Sequence, residues 1–147
     1  MKAYYKKNEF IFEIKYQEKI QAIRIVEKEQ FSEKSPISDL AFEEVSKFLD
    51  GKLKKFSFEI APQGTDFQKK VWKEIEKIPY GKTISYKEIG EKINSKAYQA
   101  IGTACGKNPI LFRIPCHRVL GKNNLGGFFY GLDLKKELLK MEKSCKI

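Results

Sequence analysis

The spacing of apolar residues changes period at Ala61-Pro62-Gln63-Gly64. Before that break Phe10, Phe12, Ile14 and Tyr16 fall at every second position, and Ile20, Ala22, Ile23 and Val26 follow the polar pair Gln17-Glu18. Successive strand side chains point to opposite faces, so this alternation predicts a hairpin with one covered side. Ser35-Pro36 then opens a helical stretch in which Leu40, Ala41, Val45, Phe48 and Leu49 recur at helical spacing, closed by Asp50-Gly51. Phe56, Phe58 and Ile60 alternate again just before the break. Beyond it the punctuation is helical. Thr65 with Gln68 makes a capping box for the stripe Phe67, Val71, Trp72 and Ile75, which Pro79-Tyr80-Gly81 stops. Ser85 with Glu88 caps a second helix over Tyr86–Ile93; Asn94-Ser95-Lys96 turns the chain into a third, from Ala97 to Gly106, rich in small residues. Both periods in separate blocks predict an α+β fold. A small sheet plus helix occupies residues 1–60, and a mainly helical domain with a helix-turn-helix occupies 61–147.

Charge narrows the class of partner. Lys+Arg 29 against Asp+Glu 19 gives a net charge of +10, a field that draws in polyanions, nucleic acid before an acidic membrane surface. A lysine-rich surface serving solubility or heat tolerance is the alternative. The longest uncharged apolar run falls far short of the ~20 residues that span a bilayer, so no membrane insertion is expected. Three cysteines, an odd number, and an opening MKAYYKKNEF without an apolar signal core predict free thiols in a reducing cytoplasm. A zinc site would need every Cys and the one His at spacings unlike a zinc module, so neither metal nor other cofactor is expected. In a helix-turn-helix the second helix usually lies against DNA, and a Gly/Ala face lets backbone approach a groove closely.

Chemistry concentrates after Asn108-Pro109, at Pro115-Cys116-His117-Arg118-Val119. A thiol attacks as thiolate, and its ordinary pKa leaves little thiolate at neutral pH, so a reactive Cys116 needs a base such as His117. In an extended segment adjacent side chains diverge, which makes a bridging water the more plausible link between the two. The base needs an acceptor on its other ring nitrogen; Glu142, on a final helix over Asp133–Lys143 beside Leu138, Leu139 and Met141, is the candidate. The alternative is that Cys116 fills the core and Glu142 faces solvent. The N-terminal half has no Cys or His, and its carboxylates interleave with lysines as on a solvated face.

Several segments resemble successive blocks of the O6-alkylguanine-DNA alkyltransferases: Gly64-Thr65-Asp66-Phe67-Gln68-Lys69-Lys70-Val71-Trp72, Ile78-Pro79-Tyr80-Gly81-Lys82-Thr83, Ser85-Tyr86, Gly106-Lys107-Asn108-Pro109, Ile114-Pro115-Cys116-His117-Arg118-Val119, Gly131-Leu132 and Leu138-Leu139-Lys140-Met141-Glu142. They run in order from Gly64 to Glu142; the first ~60 residues agree only in pattern. The resemblance implies a monomeric, stoichiometric repair protein acting on double-stranded DNA that carries O6-alkylguanine. The alkyl group moves irreversibly onto Cys116, from a base flipped out of the duplex. It implies that His117 takes the thiol proton, Glu142 orients His117, Asn108 completes the hydrogen-bond network and Tyr86 donates to the leaving guanine. Ser85, Lys96, Tyr98, Gln99, Ala100, Gly102, Lys107 and Arg118 are the expected DNA or substrate contacts, and Phe128, Phe129 and Tyr130 the pocket.

Two positions depart from the family pattern. Gln99 stands where an intercalating arginine is usual, with Tyr98 or Lys96 available to share its task. Phe128 replaces the usual tyrosine, and Phe129 and Tyr130 stand where many members have smaller residues, implying a tighter pocket that favours methyl groups. Cys105 reads as a small residue of the third helix and Cys145 as part of the tail. A lesion-binding helix-turn-helix protein without catalysis and a Cys-His hydrolase are the rivals. Cys116 argues against the first and the lack of an evident oxyanion stabiliser against the second.

Overall fold

The protein is described from a computed structural model covering residues 1–144. Cys145, assigned above to the tail, lies outside the described residues. The chain divides into two compact units, residues 1–63 with 109–111, and residues 64–108 with 112–144.

In the first unit β1 (Lys2–Lys7), β2 (Phe10–Tyr16) and β3 (Ile20–Val26) form an antiparallel sheet in the order β1-β2-β3. The alternation of β2 buries Phe12, Ile14 and Tyr16. β1 has no alternation to read, because Ala3, Tyr4 and Tyr5 are buried in succession. Glu13 corrects the expectation that the carboxylates of this half are solvated. It is buried on the opposite face of β2, opposite Tyr4 and Arg24 in register. The Tyr4 hydroxyl donates to it at 2.7 Å and the Arg24 guanidinium at 2.6 Å. A cross-strand row of this kind satisfies a carboxylate that burial alone would penalise.

Helix α1 (Pro36–Leu49) covers the sheet with Ser38, Ala41, Val45 and Phe48. Phe42 stacks on Tyr5 with ring centroids 4.4 Å apart. Leu40, placed on the buried stripe by spacing, is 43% exposed. The Ser38 hydroxyl sits inside instead, because it meets the Tyr5 hydroxyl at 2.9 Å. Phe56, Phe58 and Ile60 make no full strand; Ile60 forms one bridge to Ile20. Residues 109–111 join this unit through Ile110, which pairs with Ile23.

The second unit is helical: α2 (Asp66–Glu76), α3 (Tyr86–Lys92), α4 (Tyr98–Gly106) and α5 (Leu132–Ser144), with two-residue strands β4 (Ile84–Ser85) and β5 (Val119–Leu120) paired in parallel. Both expected capping boxes are present: Thr65 accepts from the Gln68 amide at 3.1 Å, and Ser85 from the Glu88 amide at 3.1 Å. Trp72, fully buried in α2, donates its indole N–H to the Ala104 carbonyl at 2.8 Å and so locks α2 to α4.

The turn between α3 and α4 has the hydrogen-bond pattern of a Schellman cap. Asn94 is left-handed at φ 55°, the Ser95 amide returns to the Gly90 carbonyl at 2.9 Å, and the Asn94 amide bonds the Glu91 carbonyl. The helices approach so closely here that a Cβ on Gly90 would lie 2.5 Å from the Ser95 carbonyl oxygen and 2.7 Å from the Tyr98 ring. The helix-turn-helix therefore depends on a residue without a side chain. Gly90→Ala should lower unfolding stability by about 1–3 kcal/mol, read as a lower denaturation midpoint at unchanged m-value. An unchanged midpoint would show that the turn has slack the geometry does not reveal.

Candidate active site

Cys116, His117 and Arg118 occupy a single 3-10 turn, where an extended segment was expected. The Cys116 amide returns to the Ile114 carbonyl at 2.8 Å and the Arg118 amide to the Pro115 carbonyl at 2.9 Å. Side chains one residue apart in such a turn diverge by about 120°. His117 and Arg118 therefore both turn inward, away from the direction of Cys116.

All three polar side chains of the central cluster are buried: His117 is 1% exposed, Glu142 4% and Arg118 5%. Glu142 Oε2 accepts from His117 Nε2 at 2.5 Å and from Arg118 Nη2 at 3.0 Å. Its Oε1 accepts from Arg118 Nε at 2.8 Å and from the Gly81 amide at 3.1 Å. Arg118 Nη1 donates to the Ile78 carbonyl at 2.8 Å. Burial alone would raise the Glu142 pKa, but hydrogen bonds from His117 and Arg118 overcome it and hold the carboxyl down at about 2.

For His117 the balance falls the other way. Burial, chiefly, with help from the neighbouring Arg118 and Lys135 cations, outweighs Glu142 and lowers its pKa. The bidentate guanidinium already neutralises Glu142, so the imidazole stays neutral, donates from Nε2 and carries its basic lone pair on Nδ1.

Arg118 was expected on DNA; the structure corrects this, since its guanidinium is spent on Glu142 and Ile78 inside the fold.

Cys116, 6% exposed, is the meeting point of three elements. Burial pushes its thiol well above the usual range; the Asn108 side chain and the Lys135 ammonium favour the thiolate, and the Cys105 thiol lies within hydrogen-bonding reach. Asn108 also donates to the Ile114 carbonyl at 2.7 Å, tying the end of α4 to the 3-10 turn. Tyr86 begins α3 directly after β4, beside the Val119-Leu120 strand that continues from the turn. Its phenol lies near both sulfurs and is kept protonated, chiefly by burial. A Cβ on Gly126 would come within 2.9 Å of the Tyr86 hydroxyl, and Gly126, at φ 69°, provides both the room and the backbone turn.

Spacing did not single out Cys105 or Lys135. Lys135 is fully buried and donates to the carbonyls of Val119 at 2.7 Å, Leu125 at 2.5 Å and Gly127 at 3.0 Å. It fastens α5 to the loop that faces Tyr86. The readable signal was its place on one helical stripe with Leu138 and Glu142, three and seven residues on.

The remaining expected site residues lie on the outside of this unit. Lys96, Tyr98, Gln99, Ala100 and Lys107 are exposed, and Gly102 is half-buried. A Cβ on Gly102 would meet nothing within 4 Å, so packing inside the protein does not require a glycine there. The Tyr98 ring is committed to Gly90. Ser85 caps α3, Phe128 and Tyr130 are half-buried, and Phe129 is 76% exposed. Phe129 and Tyr130 meet edge to face at 5.0 Å. Among the described residues no group of three or more His, Cys, Asp or Glu is placed to hold a metal ion, and no helix is long and apolar enough to cross a membrane.

Residues 66–144 match the family model described as 6-O-methylguanine DNA methyltransferase, DNA binding domain. The methylated-DNA–protein-cysteine methyltransferase of Methanosarcina acetivorans is 49% identical over 110 residues, 71% of this chain and 70% of that one. The crystal structure of the Mycobacterium tuberculosis O6-methylguanine methyltransferase superposes with a TM-score of 0.87 at 32% identity, covering 100% of this chain and 96% of that one. That of the same organism's OGT in complex with DNA gives 0.83 at 34% identity over 91% and 87%.

The buried cluster predicts acid sensitivity with a definite sign. Glu142 has a folded pKa of about 2, below its ordinary value, so its contribution is complete above about pH 4.5 and is lost as pH falls toward 2. His117 is also lowered, so its protonation as pH drops below its ordinary 6.5 favours the unfolded chain as well. Stability should fall monotonically from pH 7 to pH 3 in urea titrations. Glu142→Gln should flatten the part below pH 4.5; an unchanged slope there would exclude Glu142 as its source.

Proposed function

The chain belongs to the 6-O-methylguanine DNA methyltransferase family, and on that premise we propose that it repairs double-stranded DNA by moving the alkyl group of O6-alkylguanine irreversibly onto Cys116. One observation carries the reading: a neutral, buried imidazole held by a carboxylate, next in sequence to a protonated buried thiol. A thiol of raised pKa is unreactive at rest, which suits a protein that can react once. When a lesion enters, His117 Nδ1 takes the Cys116 proton through a bridging water, and Glu142 Oε2 stabilises the imidazolium. The sulfur then attacks the methyl carbon. The S–C bond forms as the C–O6 bond breaks, and the electron pair passes to O6. Tyr86, still a phenol, donates to the leaving base as charge builds there, so the thiol's proton is finally carried off by guanine. The product is a thioether, which offers water no carbonyl, and the protein is consumed.

In this reading α4 enters the minor groove. The open space beside Gly102 leaves room for DNA backbone, Lys96 and Lys107 meet phosphates, and the interface is largely blind to sequence. Gln99, exposed at the start of α4, holds the stack open in place of an arginine, since Tyr98 is engaged on Gly90. Residues 1–60 form a supporting domain and 61–147 the domain that binds DNA and accepts the alkyl group. The protein works as a monomer in a reducing cytoplasm, where Cys116 stays a thiol, and needs no cofactor. The rival lesion-binding reading has no use for Cys116, Asn108 and the His117–Glu142 pair in one place.

Brief incubation with a duplex containing O6-methylguanine should add one methyl to the peptide bearing Cys116, in a burst equal to the protein concentration. Cys116→Ala should abolish transfer while retaining DNA binding, and Glu142→Gln should slow it about 10²- to 10³-fold. Turnover beyond one equivalent, or an unmodified Cys116, would refute the reading. If Phe128, Phe129 and Tyr130 narrow the pocket, a methyl group should transfer at least about tenfold faster than a benzyl group; equal rates would show that they do not.

A further inference from the structure

Cys105 has no role in the transfer described above, yet it is one of two free, buried cysteines among the described residues and the other is Cys116. Helical spacing puts it on the inner face of α4 with Ile101 and Ala104. Two short hydrogen-bonded links hold it beside the turn. The Asn108 amide bonds the Cys105 carbonyl at 3.3 Å, while the Asn108 side chain bonds the Ile114 carbonyl at 2.7 Å, and that same carbonyl receives the Cys116 amide at 2.8 Å. The two thiols lie within hydrogen-bonding reach of each other, and the Lys135 ammonium and Tyr86 phenol are close to both.

We infer that Cys105 and Cys116 form a reversible disulfide when the protein meets a hydroperoxide, so that α4 carries a built-in thiol that protects the acceptor sulfur and suspends its reactivity. Cys116 is 6% exposed and Cys105 9%, open enough for hydrogen peroxide but not for a large disulfide. Lys135, with its charge near both sulfurs, favours the thiolate that must attack. In the first step one sulfur attacks a peroxide oxygen, an S–O bond forms, the O–O bond breaks, and the oxygen that departs leaves as water with the thiol proton. In the second, the neighbouring sulfur attacks the sulfenic sulfur, the S–S bond forms, the S–O bond breaks, and a second water departs with the second thiol proton. Two thiols lose two electrons and two protons, and one peroxide becomes two waters. Closing the bond draws the sulfurs to about 2.05 Å. A dithiol reducing agent reverses it by exchange. Without a partner, Cys116 would continue to sulfinic acid, which thiols do not reduce.

The functional consequence rests on Cys116 being the methyl acceptor, but the bond itself is read without DNA. The whole protein is treated with hydrogen peroxide, its remaining thiols are capped, and tryptic peptides are weighed. Residues 97–107 should appear joined to 114–118, two hydrogens lighter than the sum, and the pair should separate with dithiothreitol. Methyl-acceptor capacity should fall in proportion to the crosslinked fraction and return with dithiothreitol. In Cys105→Ser, measured against its own reduced activity, the same treatment should cause a loss that dithiothreitol does not restore. Cys145→Ser should crosslink as the parent does. No 97–107/114–118 species in the oxidised parent, Cys116 joined instead to the peptide bearing Cys145, or full dithiothreitol recovery in Cys105→Ser would overturn the inference. A protein that crosslinks as described yet never accepts a methyl group would refute the proposed function and leave the disulfide standing.

Discussion

Everything around the reactive cysteine is organised by one buried carboxylate. Glu142 accepts four hydrogen bonds, from His117, twice from Arg118, and from the Gly81 backbone. These partners come from two separate stretches of chain, so one side chain fixes the helix that carries it, the 3-10 turn and the loop after α2. An unpaired charge in such a place would be severely penalised; paired with a guanidinium, it becomes a rigid anchor. Because Arg118 meets the charge, His117 is free to remain neutral. Without that cation Glu142 would draw a proton onto the imidazole, and a protonated imidazole cannot act as a base.

Lys135, seven residues before Glu142 on the same helix, has a parallel role. A lysine with no exposed surface holds three carbonyls of the strand and loop that follow the turn. Glu142 and Lys135 share one face of α5, so that helix presents an anion to the base and a cation to the loop and to the sulfurs. Docking of α5 therefore sets both the geometry of the base and the field at the thiol.

Local signals were legible in the sequence where a few neighbouring residues decide the outcome. The boxes at Thr65/Gln68 and Ser85/Glu88 start their helices as read, and Asp50-Gly51 ends α1. Period-two spacing revealed β2 and β3 but missed β1, whose Ala3, Tyr4 and Tyr5 are buried on both faces and so show no alternation. Burial of polar residues was the least legible feature. Glu13, Lys135 and Arg118 read as surface charges because what buries them is a partner distant in sequence: Tyr4 and Arg24, three backbone carbonyls, and Glu142. Motif order put His117 and Glu142 in one site; that they meet through Nε2 at 2.5 Å needed the fold. Cys105 looked like a small helix residue because nothing local reports which sulfur it faces.

The central claim is that His117 is a neutral base whose Nε2 proton is held by Glu142. With a single histidine in the sequence, its ring nitrogens are identifiable by ¹⁵N NMR in protein without added histidines. The account requires a neutral ring at pH 7 with the proton on Nε2, charging only below the ordinary histidine range. A ring already doubly protonated at pH 7, or one with its proton on Nδ1, would contradict it.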